Sequence, residues 1–419
     1  MTNITLSSQQ KTAIDKLASW YSASIRDKKT FILNGHAGTG KTTISRMLPE
    51  LVLNAEPVTV VYTALTGKAV LQLRKVGCQR TTTLHKLLYA PLEKDRTRLL
   101  ELTAALRAEL NISPAGDSDR AKEVKRQLYL ERRQVAQPSW QAKRVDLPPE
   151  VKLIVVDESS MVDPGVYNDL MALDIPLVFI GDPFQLPPVF GVSPIMEQEP
   201  DYVLTEVHRQ ALDNPVLLAA TELRAGRYPS LQPGQDKFQV VPVKDATYEL
   251  YASVDQVLCG RNKTRRSLNA KMRKRLVESG KVARSELPAA VGDKVVFLRN
   301  DHEEQIFNGT LAELTSVTSG VEEGHENLII DGVDDAGNAI CAYEVWGGVL
   351  EGLEAHEAPR RAQLIDHALA LTVHKSQGSE WPSVLVHSEA VGHGTDALRW
   401  LYTAITRAQN KCIVVTRED

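Results

Sequence analysis

Four cysteines in 419 residues, Cys78, Cys259, Cys341 and Cys412, lie far apart and without metal-ligand spacing. Their scatter excludes a zinc ribbon, an iron–sulfur cluster or a disulfide scaffold. They read as reduced packing thiols of a cytoplasmic protein, or of a host cytoplasm if the source is viral. No apolar run reaches the ~18–20 residues that a membrane span needs. The opening MTNITLSSQQK has no apolar core of the secretory kind, so no membrane partner is expected. Charge of one sign is missing locally. Residues 261–276, RNKTRRSLNAKMRKRL, hold eight Lys or Arg and no acid, whereas 301–357 hold fourteen Asp or Glu and no Lys or Arg. Binding fields are local, so these blocks say more than the net charge of −4, although a solvated face has the same composition. What remains is ordinary globular composition, long enough for two or three domains.

Into that background falls GHAGTGKTT at residues 35–43. Residues 31–33 are a short apolar run, and apolar spacing resumes at Ile44, Met47 and Leu48, so the segment reads as strand, glycine loop, helix. Gly35, Gly38 and Gly40 let backbone amides turn inward around phosphates at a helix N-terminus. The loop residues His36, Ala37, Thr39 and Thr43 belong to the same cradle. Lys41 is placed for the β- and γ-phosphates and the Thr42 hydroxyl for Mg²⁺. KLIVVDESSMVD supplies the acidic strand end that such a loop requires. Asp157 is the expected metal partner and Glu158 the group that polarises the attacking water, although adjacent carboxylates also serve as a capping pair. ATP and Mg²⁺ are therefore the expected cofactors, with hydrolysis rather than binding alone. GDPFQLPPV places Asp182 and Gln185 after another apolar run, where an amide can sense the γ-phosphate. Arg407, in LYTAITRAQNKCIVV, lies far along the chain. It reaches a nucleotide only if a second domain folds back over the first, as an arginine finger does.

In order, GHAGTGKTT, YTALTGKAV, TTLHKLL, VVDESSMVD, GDPFQLPPV, LTEVHRQ, TVHKSQGSEW and LYTAITRA resemble the helicase motifs of superfamily 1. The nearest resemblance is to the RecD-like and phage Dda-like branch. It implies an α/β fold of two RecA-like P-loop motor domains with parallel sheets flanked by helices, ATP between them and single-stranded DNA across them, with 5′→3′ travel. It also implies that Gln10 (with Gln9 adjacent) reads adenine, that Arg209 and Arg407 touch the γ-phosphate, and that Glu380 binds the ribose. By the same resemblance, DNA contacts fall on Thr63, Ala64, Thr66, Lys68, Thr83, His85, Thr372, His374 and Lys375. Hydroxyls and amides there grip phosphates while His and Lys add charge.

The expected domains are a first motor over 1–88 and 150–212, a pin over 89–149, a second motor over 213–285 and 358–419, and an SH3-like β-barrel over 286–357. LLYAP and SWQAKRVDLP are the candidate pin strands, with Tyr89 and Trp140 either stacking on a base or packing the pin. Between them RTRLLELTAALRAEL and SDRAKEVKRQLYLERRQ have helical spacing, a helical hairpin inserted in the pin. Its second helix carries Arg126, Arg132 and Arg133, which either steady an incoming duplex or face solvent. The implied function is an ATP-dependent DNA helicase acting as a monomer on single-stranded and forked DNA, with replication, repair or recombination proteins as partners. An RNA-directed motor of the same superfamily, or a regulatory subunit that binds without unwinding, remain the alternatives.

Overall fold

The computed structural model describes residues 6–23, 29–91, 140–188, 191–206, 214–229, 236–301, 304–320, 327–355, 357–358, 362–389 and 394–416, with a few isolated positions between 98 and 127. Eight strands come first: β1 (Thr30–Gly35), β2 (Val60–Ala64), β3 (Arg80–Thr83), β4 (Tyr89–Pro91), β5 (Trp140–Ala142), β6 (Leu153–Val156), β7 (Leu177–Gly181) and β8 (Tyr202–Leu204). Six of them form one parallel sheet in the order β3-β2-β6-β7-β1-β8. Alternate side chains go to opposite faces, as the two-residue period of a strand requires. Leu33, Leu153 and Val155 pack with Ala13, Leu17, Ile44 and Leu48 on the face covered by helices Ser8–Ala23 and Lys41–Leu51. Ile32, Ile154 and Val156 pack with Leu84, Leu87 and Leu170 on the other. Each such side chain contributes ~2 kcal/mol when fully buried, which explains why these strands are apolar on both faces.

β4 and β5 pair antiparallel, with Tyr89 opposite Ala142 and Pro91 opposite Trp140, as expected for the pin. The described positions between 98 and 108 and between 119 and 127 are helical. Arg126 is tied to Glu123 at 2.9 Å on an exposed surface, while Arg132, Arg133 and the Trp140 side chain lie outside the described residues.

The second motor domain adds β9 (Phe238–Pro242), β10 (Gln256–Cys259), and then, beyond the barrel strands, β16 (Ala370–Thr372), β17 (Trp381–His387) and β18 (Ala408–Thr416). They form a parallel sheet in the order β16-β10-β17-β18-β9. Helices Pro215–Arg224 and Thr395–Ile405 cover one face, and helix Asn262–Glu278 covers the other. Between the two halves of this domain lie β11 (Lys294–Phe297), β12 (Leu311–Ser319), β13 (Asn327–Asp334), β14 (Ala339–Trp346) and β15 (Gln363–His367), which close into a barrel. The barrel therefore runs past the boundary expected at 357, because β15 closes it by pairing with both β11 and β14. Of the four cysteines, Cys341 alone is exposed, and all are free thiols. Among the described residues no helix is long and apolar enough to cross a membrane.

The basic segment 261–276 forms the helix Asn262–Glu278, but part of its charge is structural. Arg265, 4% exposed, holds Asp366 at 2.7 Å, and Arg273 grips Asp293 through two bonds of 2.7 and 2.8 Å. The outward cations, among them Lys263, Arg266 and Lys271, are exposed, a position open to DNA-backbone binding as well as to plain solvation. Buried Asn269 fastens the helix to the sheet edge. Its Nδ2 donates to His367 O and Ala370 O, both at 3.0 Å, and its Oδ1 accepts from Ala370 N at 2.7 Å. Asn269→Ala leaves these backbone groups unpaired, so thermal unfolding of the second motor domain is expected to show a loss of ~2–3 kcal/mol. An unchanged melting temperature would contradict this role.

Candidate active site

The glycine loop sits between β1 and the helix Lys41–Leu51. Gly40 stands at the N-cap in a left-handed conformation (φ 78°), so the helix begins on a backbone turn rather than a capping side chain. Gly35 is tight for a different reason: a Cβ there would lie 2.8 Å from Thr39 Oγ1 and 3.0 Å from Lys41 Cγ. Lys41 Nζ donates to Gly35 O at 2.7 Å and His36 O at 3.0 Å, which folds its ammonium over the loop. Gln10, 1% exposed, donates from Nε2 to Thr39 O at 3.1 Å, on the loop itself. Neighbouring Gln9 instead accepts from Thr205 N and Glu206 N, beyond the end of β8. Of the two glutamines, Gln10 is the one against the phosphate loop.

At the end of β6, Asp157 Oδ1 accepts from Glu158 N at 3.0 Å. Glu158 adopts φ 51°, ψ 41°, a left-handed conformation uncommon outside glycine and typical of strained functional turns. Burial, with the Glu158 carboxylate alongside, pushes the Asp157 acid up to about 7, against the pull of Lys41. Asp157 and the Thr42 hydroxyl are hard oxygen donors, one of them a crowded buried carboxylate, and this donor set fits a Mg²⁺ ion. Among the described residues no group of three or more His, Cys, Asp or Glu forms a separate metal centre.

The second motor domain meets this site directly. Arg407, 4% exposed, is held by Thr403 O at 3.1 Å and Ser379 O at 3.4 Å. Gln185 lies between the domains. With its Nε2 toward Glu158 Oε2 (3.3 Å) and its Oε1 toward Arg407 Nη2 (3.2 Å), both ends find partners, whereas the reverse orientation sets like against like. Fully buried Tyr402 donates to Asp182 Oδ2 at 2.6 Å and accepts from Ala37 N of the phosphate loop at 3.1 Å. Its burial and the adjacent Asp182 raise the phenol well above its ordinary pKa, so it remains a donor. Burial would lift Asp182, but His36 Nδ1 at 3.7 Å, the Lys41 charge and the Tyr402 hydroxyl hold it below the usual carboxylate value. Leu186 N donates to Thr403 Oγ1 at 2.9 Å, and Gln377 Nε2 donates to Leu186 O at 3.3 Å. Tyr402, Thr403 and Gln377 are contacts that motif spacing does not reveal. The available signal is a phenol and a hydroxyl within the otherwise apolar turn of 400–405. Glu380 lies exposed next to Gln409, and Arg209 lies outside the described residues.

A groove of about 650 Å³ runs beside this junction, lined by Thr66, Lys68, Thr83, His85, His374 and Lys375, with Tyr89 and Lys143 of the pin and Asn300 and Asn308 of the barrel. The hydroxyls expected to grip a strand have local duties. Thr66, Thr83 and Thr372 cap short helices by accepting from Ala69 N, Lys86 N and Lys375 N. Thr63 is fully buried, its Oγ1 donating to Val155 O at 3.0 Å, and Ala64 is buried behind it. Burial lowers the pKa of His85 and of His374, so near neutral pH they bring uncharged imidazoles rather than the expected positive charge. Tyr89 packs its ring against His85 at 5.6 Å and hydrogen-bonds Asp169, which supports pin packing. Lys68 is buried and ion-paired with Asp335, so it is not the open phosphate contact expected from the motif.

Residues 5–241 match the AAA domain family model, and residues 367–415 match the UvrD-like helicase C-terminal domain. The chain is 27% identical to the ATP-dependent RecD2 DNA helicase of Deinococcus radiodurans over 428 aligned positions, covering 97% of this chain and 48% of that protein. It is 24% identical to the ATP-dependent DNA helicase dda of Enterobacteria phage T4, covering 62% of this chain and 55% of that one. The chain thus spans about half the length of these curated relatives. The crystal structure of Pif1 helicase from Candida albicans shares the fold, with a TM-score of 0.54 at 18% identity over 99% of this chain and 95% of that one. With the AAA domain match spanning more than half of its residues, the chain belongs to that family, and within it the chain is similar to the RecD2 and Dda proteins.

Proposed function

We propose that the chain is an ATP-dependent DNA helicase that moves 5′→3′ along single-stranded DNA and opens the duplex ahead of it. The observation that carries this reading is the row Glu158–Gln185–Arg407, in which groups from both motor domains meet beside the phosphate loop. The adjacent groove, lined by all four structural units, supports a strand as the second ligand. Both curated relatives are named ATP-dependent DNA helicases, which favours DNA over RNA.

In this mechanism the loop amides and Lys41 hold the β- and γ-phosphates, and Gln10 meets the adenine edge from its place against Thr39. Thr42 and Asp157 would hold Mg²⁺, which when bound neutralises charge on the phosphate oxygens. Glu158 orients the attacking water and accepts its proton. Arg407 balances the charge that develops on the transferring phosphoryl group, with Arg209 as its partner by resemblance and Glu380 toward the ribose. Gln185 touches both the water-positioning carboxylate and the arginine, so loss of the γ-phosphate changes its partners and loosens the cleft. Cleft opening and closing moves the two sides of the groove past each other. The β4–β5 hairpin then stands where a duplex must part. Both motor domains reside in one chain, so a monomer suffices.

Strand displacement with ATP on duplexes bearing a 5′ or a 3′ single-stranded tail tests the reading. Opening of the 5′-tailed duplex alone is expected. Opening of the 3′-tailed one alone would overturn the direction, and no opening, with ATP turnover indifferent to single strands, would favour a non-unwinding subunit. Glu158→Gln should keep ATP and strand binding while turnover falls by at least ~100-fold. Near-normal turnover would remove Glu158 from its assigned role.

A further inference from the structure

Lys68 belongs to the TGK segment of helix Gly67–Lys75 and lines the groove, yet its ammonium is already engaged. Nζ lies 2.7 Å from Asp335 Oδ2 and 5.2 Å from the centroid of the Trp381 ring. Three units meet at this point: the first motor through Lys68, the barrel through Asp335 in its β13–β14 turn, and the second motor through Trp381 at the start of β17. The Lys68 side chain is 11% exposed and that of Asp335 32%, so the pair is shielded on the lysine side and open to solvent on the carboxylate side.

The turn that carries Asp335 is firmly built. Asp334 Oδ1 accepts from Ala336 N at 2.9 Å and Asn338 N at 2.7 Å, and Asp335 N donates to Leu311 O at 3.0 Å. The Lys294 charge acts on both members of the pair, but its ammonium donates to Asp255 O and Gln256 Oε1, and the Asp255 and Glu313 carboxylates act on Lys294. Asp335 is the carboxylate in charge contact with Lys68 at 2.7 Å, although the geometry leaves the buried Nζ without a hydrogen bond. The barrel is held to the same helix by Arg74 Nη1, which donates to Gln305 Oε1 at 3.2 Å. Phe307 packs so closely on Gly67 that a Cβ there would lie 2.5 Å from its own Cβ.

We propose that Asp335 is an internal stand-in for a strand phosphate: it occupies Lys68, latches the barrel onto the first motor domain, and is displaced when a single strand enters the groove. Carboxylate and phosphate oxygens are equivalent acceptors for an ammonium, so the exchange keeps Lys68 paired and desolvated throughout. The exchange frees the barrel turn at the moment the groove fills, which couples strand entry to release of that turn while Arg74 and Phe307 keep the barrel on the helix. It also has a signature in salt. When Lys68 takes a phosphate the strand gives up its condensed cation, but the freed Asp335 carboxylate, open to solvent beside the strand, takes up a cation in its place, so in the native chain Lys68 adds almost no net salt dependence to strand binding.

The inference rests on the strand-binding reading above, and equilibrium binding of a fluorescent oligothymidylate by the full chain across a salt series tests it. Asp335→Asn frees Lys68 for phosphate. Affinity should rise about fivefold near 0.1 M salt, and the log–log salt slope should steepen by about 0.7. Lys68→Gln should weaken binding with the native slope retained, and Lys68→Gln combined with Asp335→Asn should bind no more tightly than Lys68→Gln. If Asp335→Asn is too unstable to measure, the Lys68→Gln slope decides alone: a slope shallower by about 0.7 would make Lys68 an ordinary phosphate contact and overturn the latch. Unchanged or weaker binding by folded Asp335→Asn would overturn it as well. Absence of any strand binding by the native chain would instead overturn the motor reading on which the latch depends.

Discussion

The buried polar contacts between the 402–407 segment and the phosphate side of the first domain set the rest of the active site. Tyr402 joins Ala37 to Asp182, Thr403 holds the Leu186 amide, and Arg407 meets Gln185 beside Glu158. Each of these groups would be costly to bury alone, since an unpaired buried donor or acceptor loses its full hydration. Arg407 also bonds Thr403 O and Ser379 O of its own domain, but the Tyr402, Leu186 and Gln185 contacts form only when the two motor domains are together. The contact is therefore conditional on closure, and closure is what puts Arg407 one side chain away from Glu158, with Gln185 between them.

The same segment connects the phosphate-loop side to the groove. Leu186 is bracketed by Thr403 through its amide and by Gln377 through its carbonyl, and Gln377 also lines the groove. One residue away, Gln185 spans Glu158 and Arg407. Nucleotide site and groove are thus separated by a single loop whose hydrogen bonds come from the second domain. Rigid parallel sheets on either side, each buried on both faces, allow that loop to move only with the domains.

How much of this was legible in the sequence follows from the range of the interactions. The phosphate loop and the Asp157–Glu158 strand end are local patterns of glycine, apolar runs and turns, and the structure brings Lys41 and Asp157 within electrostatic reach at the ends of β1 and β6. Arg407 was legible only because an arginine in a helix–turn–strand motif implied a second domain folding back. Partners across the fold were not. Nothing near Lys68 in sequence announces Asp335, and nothing in the 261–276 block separates Arg265 and Arg273, held by Asp366 and Asp293, from its outward cations. The charge of His85 and His374 escaped for the same reason, because burial is a property of the packed chain. The barrel outran its expected limit because the strand that closes it follows a long connection after β14.

The central claim is that a residue of the second motor domain completes the hydrolytic centre of the first. The most direct measurement is steady-state ATP turnover of Arg407→Ala with saturating single-stranded DNA, alongside its separately measured nucleotide affinity. The account predicts a fall in kcat of about 10³-fold or more, with nucleotide affinity changed far less. Turnover within tenfold of the native chain would contradict it, and would mean that the phosphate loop and its own domain suffice for hydrolysis.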